Sequence, residues 1–442
     1  MTQVEHSRLV CAGCGAEAIE PYSFRCPRAT TDDVDHVLSR ALDLGSLHFP
    51  DGDDPNPFVR YRTLLRSYHV ARAYGMADAQ FVTLARDFND AVAHVDGRGF
   101  TLTPFARDPW LSDALGFTSQ GGLWVKDETG NVSGSHKGRH LAGIMLYLLV
   151  IERLGLVQPP LPPLAIASCG NAALAAAVVA RAAERRLLVF IPTDAPASIV
   201  ERLHALGACV NVCTRAPGIG GDPCYHAFRE AVSRGALPFC CQGNENGLTI
   251  EGGETLGYEV LSQLRGRRLD RFVIQAGGGA LASAVIQSFT EGVALGATPR
   301  LPRFDVVQTA GAFPLKRAYD LVSRRASSSP GDSLRYAAAH RGAFMWPWET
   351  PPRSIAHGIL DDETYDWHAV VEGMFASGGS PIVVTDDELC AAHDLAAAAP
   401  RRAIEADHTG TAGLAGVMQL AAARAIHPDE RVAVIFSGAR RD

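Results

Sequence analysis

The sequence predicts an α/β protein built on mostly parallel sheets. Short β-branched runs alternate with alanine-rich segments of helical length, which is the pattern of successive βαβ units. Several of the runs end in a glycine or polar turn that leads straight into the next helix. With 442 residues, 47% of them hydrophobic and 20% charged, the chain also has the apolar content to cover both faces of such sheets.

Six runs read as strands: Leu164 to Ala167, Leu187 to Ile191, Cys209 to Cys213, Phe272 to Gln275, Phe304 to Gln308 and Val432 to Phe436. The helices expected with them are Leu141 to Leu154, Ala172 to Arg185, Pro196 to Leu206, Tyr225 to Arg234, Gly253 to Arg265 and Thr411 to Arg424. The alternation starts near Gly122. Before it lies an extension, residues 1–95, with a cysteine-bearing start and helical stretches over Phe58 to Tyr74 and Ala77 to Val92. Gln158 to Pro163 and Ser327 to Asp332 read as loops, because proline and glycine interrupt both kinds of periodicity.

A formal charge of -7 offers no basic surface to nucleic acid, so a small-molecule ligand is expected. The first thirty residues carry charges and no continuous apolar stretch, so neither a signal peptide nor a membrane span is expected, and the reading is cytoplasmic. Ten cysteines spread over the chain suit reduced thiols rather than a disulfide framework.

Only Lys126, Lys137 and Lys316 are lysine, so lysine chemistry has three candidates. Lys137 follows the small, polar approach Ser133-Gly134-Ser135-His136 and stands at an expected helix start. Unpaired backbone N–H groups there favour an anionic ligand and disfavour a protonated amine. Ser168-Cys169-Gly170-Asn171 closes a strand and opens a helix, where hydroxyl and backbone N–H groups can hold a carboxylate. Gln275-Ala276-Gly277-Gly278-Gly279-Ala280-Leu281 also joins strand to helix, and its glycines let several N–H groups converge on a phosphate. Gly277 to Ala282 also satisfies a dinucleotide fingerprint loosely, with Glu291 somewhat early for the acidic partner. Ser437, at the end of the last strand, presents a hydroxyl.

In this order the four segments resemble the fold type II pyridoxal-phosphate (PLP) enzymes, the group that includes the tryptophan synthase β chain, serine and threonine dehydratases and threonine synthase. Leu102-Thr103-Pro104-Phe105 resembles that group's Thr-Pro-Leu segment, Ser133 to Lys137 its Ser-Gly-Ser-Phe-Lys lysine motif, and Ser168 to Asn171 its Ser-x-Gly-Asn loop. Among members, the long extension, Asn56 to Tyr61 and Glu251-Gly252-Gly253-Glu254-Thr255-Leu256-Gly257-Tyr258-Glu259 are most similar to threonine synthase-like chains.

The resemblance implies two three-layer αβα domains. A large PLP-binding one takes residues 96–130 and 246–442, and a smaller mobile one takes 131–245. It implies Lys137 as the Schiff-base lysine and Asn171, Gly277, Gly278, Gly279, Ala280, Leu281 and Ser437 as cofactor contacts, with Ser437 facing the pyridine nitrogen. Ser168, Cys169 and Gly170 would hold an amino-acid substrate, and the assembly would be a homodimer. The activity implied is elimination or replacement: threonine synthase-like γ-elimination and hydration of a phosphorylated homoserine, a β-replacement, or dehydratase-type deamination. Arg139 is then either a contact for a substrate phosphate or a structural residue, and His136, where the group has Phe, a base or an oriented structural histidine. A nicotinamide oxidoreductase using Gly277 to Ala282, and a silent PLP-binding protein, remain as other classes.

Cys11-Ala12-Gly13-Cys14-Gly15 and Cys26-Pro27 resemble the zinc ribbon of some threonine synthase-like chains, which takes a second Cys-x-x-Cys pair. Position 29 is Ala29, so three thiols stand without a fourth ligand and no metal is expected.

Overall fold

The computed structural model describes residues 6–19, 21–30, 32–215, 222–325, 329–399 and 405–441. Three sheets organise them. A six-stranded sheet has the spatial order Pro381–Val384, Arg303–Thr309, Arg271–Gln275, Arg431–Phe436, Gly122–Asp127, Phe105–Asp108; every pairing is parallel except the last. A four-stranded sheet, parallel throughout, has the order Cys209–Cys213, Leu187–Pro192, Leu164–Ala167, Leu237–Pro238.

Side chains of a strand alternate between its faces, and the core follows that period. Phe272, Ile274, Phe304 and Val306 pack in one cluster with helices Thr249–Leu264, Ala280–Ala294 and Trp367–Ser377. Val273, Val307, Val432 and Val434 pack in another with Asp386–Ala397 and Ala412–Ala422. The large sheet is thus covered on both faces, and the α/β expectation holds. Helices Asn171–Ala182 and Pro223–Ser233 pack on the smaller sheet. Among the described residues no helix is long and apolar enough to cross a membrane.

All six expected strands form, within a residue or two at their ends. Three features depart from expectation. Residues 7–42 hold a third sheet, antiparallel, in which Ser7–Cys11 lies between Glu17–Ala18 and Leu38–Leu42. The stretch from Phe58 to Tyr74 is broken into Pro57–Arg60, a 3-10 turn over Arg62–Leu64, and Arg66–Ala73. Pro330 to Asp332, read as loop, opens the helix Pro330–Ala339; a proline at the first helical position gives up only an N–H that has no intrahelical acceptor anyway. Residues 327 and 328 of that tract lie outside the described residues.

Helix Lys137–Arg153 crosses helix Thr249–Leu264 at Gly143 and Gly252, and the backbones touch there: a Cβ on Gly143 would lie 2.6 Å from the Gly252 Cα. A Cβ on Gly252 would overlap the Arg139 carbonyl oxygen, and one on Gly253 the His140 ring. The Glu-Gly-Gly-Glu segment is therefore a helix-crossing device. Gly252→Ala should cost at least about 1–3 kcal/mol, as overpacking against backbone does, and lower the denaturation midpoint accordingly.

Candidate active site

Lys137 is the first residue of its helix. The approach is fixed from several sides. Ser133 adopts a left-handed conformation (φ 55°), and its N–H donates to Asp96 at 2.8 Å. Ser135 pairs with Gly438 as an antiparallel bridge, the Ala439 N–H donates to the Gly134 carbonyl at 2.8 Å, and the His136 N–H donates to the Ser437 carbonyl at 3.0 Å. Arg441 donates to Asn171 Oδ1 at 2.7 Å and to the Ser133 carbonyl. The residues after the last strand therefore bind the lysine loop and the Asn171 loop together.

The other two lysines are committed elsewhere. Lys126 Nζ, fully buried, donates to Glu259 (2.5 Å), the Thr103 carbonyl (2.8 Å) and Gln263 (3.1 Å). Lys316 forms an i,i+4 ion pair with Asp320. Lys137 makes no hydrogen bond or ion pair among the described residues.

Beneath Lys137 lies a buried charge network. Arg139 forks onto Glu128 (2.8 and 3.0 Å) and reaches Glu259 at 2.6 Å. Burial pushes the Glu128 carboxyl up, but the Arg139 charge and hydrogen bonds outweigh it and bring the pKa to about 2. Arg139 is thus the structural residue of the two alternatives, and no longer a phosphate contact. A second network buries Arg40 against Glu251, Glu254 and Glu291. Burial raises Glu254 well above the carboxylate range, with Arg40 opposing and Glu291 and Glu251 reinforcing.

His136 is buried and donates from Nδ1 to the Ser437 carbonyl at 3.0 Å, while Nε2 has no hydrogen bond. Burial first, then the Lys137 charge, hold its pKa well below the usual range, so the ring is neutral and oriented. His140, donating to the Thr249 carbonyl at 2.7 Å, is held down to about 3 by burial and Lys137.

The glycine loop has the shape of an anion cradle. Gly279 has φ +96° and precedes helix Ala280–Ala294 with no side-chain cap, leaving first-turn N–H groups to a ligand. Cβ atoms on Gly277, Gly278 and Gly279 would run into Asp361, the Tyr365 ring and Thr364. Asn171 likewise opens an uncapped helix after Gly170, and the Gly170 N–H points at Ser168 Oγ (3.4 Å). Cys169 is half-buried, and burial with the nearby Asp194 charge raises its thiol pKa. Ser437 Oγ accepts from Gln275 Nε2 at 2.8 Å. The same amide nitrogen faces the carbonyls of Thr409, Gly410 and Ile435 at 3.0–3.1 Å, which fixes its orientation and leaves the Ser437 proton to be donated.

Two carboxylates near Lys137 were not anticipated. Asp361 accepts from the Gly278 N–H; burial raises its pKa, and Lys137 opposes that rise. Asp366, 3% exposed, accepts from the Gly243 N–H at 3.3 Å, while its own N–H donates to the Gly278 carbonyl at 3.0 Å. Burial pushes Asp366 up to about 7, with Asp35 adding and the Gly243 N–H and Lys137 opposing. A raised folded-state pKa means the folded protein binds the proton more tightly. The Asp366 contribution to stability is therefore full below about pH 4 and lost as pH rises through about 7. Against Asp366→Asn, the wild-type should lose on the order of 4 kcal/mol between pH 4 and 8, about 1.4 kcal/mol per pKa unit, measured by denaturant titration at both pH values.

A free amine at a helix start, an uncapped glycine-lined helix terminus and a donating hydroxyl at a neighbouring strand end define the class of enzymes that hold an aldehyde cofactor through its phosphate and a lysine. The family described as "Pyridoxal-phosphate dependent enzyme" matches residues 98–438, and the chain belongs to it. Its fold is type II, and its cofactor is pyridoxal 5'-phosphate. Threonine synthase of Methanocaldococcus jannaschii is 23% identical over 338 residues, covering 76% of this chain and 74% of that protein. Threonine synthase of Methanosarcina acetivorans is 25% identical over 343 residues, with the same coverage. Among solved structures, threonine deaminase isoform 2 from Solanum lycopersicum superposes with a TM-score of 0.58 at 18% identity, covering 83% of this chain and 91% of that one. Diaminopropionate ammonia lyase from Escherichia coli does so at 0.58 and 18%, covering 81% and 88%.

Proposed function

We propose that the protein catalyses elimination or replacement at the side chain of an amino acid, in the manner of threonine synthase-like enzymes. The observation that carries this is Ser437. A serine hydroxyl, already accepting from Gln275, donates to a ring nitrogen without protonating it, which suits loss of a β or γ leaving group better than transamination.

PLP, when bound, supplies the electron sink for charge left at the α-carbon. The chain's residues do the rest. Lys137 would carry the cofactor and move the α-proton through its Nζ. N–H groups of Gly279, Ala280 and Leu281 would take the phosphate, with Gly277 and Gly278 giving the loop its close approach. Ser168, Cys169 and Gly170 would receive the substrate carboxylate at the uncapped helix start, and Asn171 would donate to the cofactor's phenolic oxygen. Neutral His136 keeps a second positive charge away from Lys137.

The neighbourhood of Lys137 favours a second reading, dehydratase-type β-elimination. Asp361 and Asp366 are carboxylates, and Arg139 is bound to Glu128 and Glu259, so the charges described around the amine do not favour a phosphorylated side chain.

The test is release of phosphate, ammonia or acetate from O-phosphohomoserine, serine, threonine and O-acetylserine. Phosphate release with threonine formation supports the threonine synthase-like reading. Ammonia and a 2-oxoacid from serine or threonine support the dehydratase. Turnover of none of the four would overturn the proposal in both forms.

A further inference from the structure

The expectation that the N-terminal thiols lack a fourth ligand does not hold. His36 joins Cys11, Cys14 and Cys26, and one ligand atom from each lies within 4.8 Å of every other. We infer that these four residues form a Cys3His zinc site, in which Asp32 orients the histidine.

The distances fit one ion. With Zn–S about 2.3 Å and Zn–N about 2.0–2.1 Å, tetrahedral edges are about 3.8 Å between sulfurs and about 3.6 Å from sulfur to nitrogen. Cys14 Sγ and Cys26 Sγ are 3.5 Å apart, and Cys11 Sγ is 3.6 Å from His36 Nδ1. The sulfur pair stands well beyond the roughly 2.05 Å of a disulfide. The ligand set is closed, as structural sites are.

The surroundings are those of ligands. His36 turns Nδ1 to the thiols and Nε2 to the Asp32 carboxylate at 3.0 Å, the outer contact that fixes a metal-binding imidazole's tautomer. The Gly15 N–H closes a turn on the Cys11 carbonyl at 2.9 Å with φ +70°, bringing Cys11 and Cys14 to one side. Cys26 Sγ accepts from the Arg28 N–H at 3.4 Å. Cys11 and Cys26 are buried; Cys14 and His36 are half-buried.

The site ties together a sheet whose strands have two to five residues, too little for a core of its own. One of those strands, Leu38–Leu42, delivers Arg40 to the glutamates of helix Thr249–Leu264. The inference does not depend on the proposed reaction.

The test uses the full-length chain, purified without chelators. Elemental analysis should find about one zinc per chain. Cobalt replacement should give the intense visible bands of a four-coordinate ion together with thiolate charge transfer. Cys26→Ser should abolish binding, and His36→Ala should weaken it. Asp32→Asn alters an exposed residue and leaves all four ligands, so it serves if the others fail to fold. It should weaken zinc about 10–100-fold in competition with a chromophoric chelator. Absence of zinc from the folded chain even after incubation with excess metal would overturn the inference. So would a six-coordinate cobalt spectrum, or a Cys14–Cys26 disulfide found on thiol titration.

Discussion

Lys137→Ala is expected to fold with the melting temperature of the cofactor-free parent, to hold no covalently attached cofactor, and to turn over at least about 1,000-fold more slowly than the parent. Stability is spared because the Lys137 amine makes no hydrogen bond or ion pair among the described residues. Borohydride treatment of the cofactor-loaded parent protein should place the label on the peptide containing Lys137. The informative contrast is Lys126→Ala, which removes three hydrogen bonds inside a fully buried network. That variant should be destabilised yet still label at Lys137. Label on Lys126 or Lys316, or turnover surviving in Lys137→Ala, would refute the assignment.

The second large effect belongs to Arg139. Its removal leaves Glu128 and Glu259 buried with only Lys126 as counter-charge, and breaking one side of a buried pair costs about 3–5 kcal/mol. Arg139→Ala should lower the free energy of unfolding by that amount, measured by denaturant titration. Arg139→Lys should recover only part of it, because an ammonium keeps the charge but not the fork that spans two carboxylates. Its effect on activity should follow its effect on folding, whereas for Lys137→Ala the two separate. If Arg139→Ala is as stable as the parent, the network has another source of compensation.

Those two residues also mark what the sequence made legible. Lys137, the glycines and Ser437 stand at strand-to-helix junctions, and the physics that makes them useful, uncapped N–H groups beside small residues, is local enough to read along the chain. Arg139 is two positions from the lysine, yet its role depends on Glu128 and Glu259, from two other elements, so the sequence left two alternatives open. Asp361 and Asp366 carry no local pattern, and only the packing of the segment 357–367 over the glycine loop gives them meaning. His36 stands in no Cys-x-x-Cys spacing and so carries no local signal; the antiparallel pairing of Ser7–Cys11 with Leu38–Leu42 is what brings this distant histidine back to the thiols. The short N-terminal strands were invisible for a related reason: they lie among glycines and cysteines that read as turns.

The described residues after the last strand, 437–441, have a consequence for engineering. Ser437, Gly438, Ala439 and Arg441 touch the lysine loop, and Arg441 also holds Asn171 at the edge of the substrate loop. One substitution at Arg441 therefore perturbs two loops more than 260 positions away in sequence, on segments flanking different sheets. A library aimed at changing substrate preference gains by varying Arg441, since that one position meets both loops without touching the amine or the glycines.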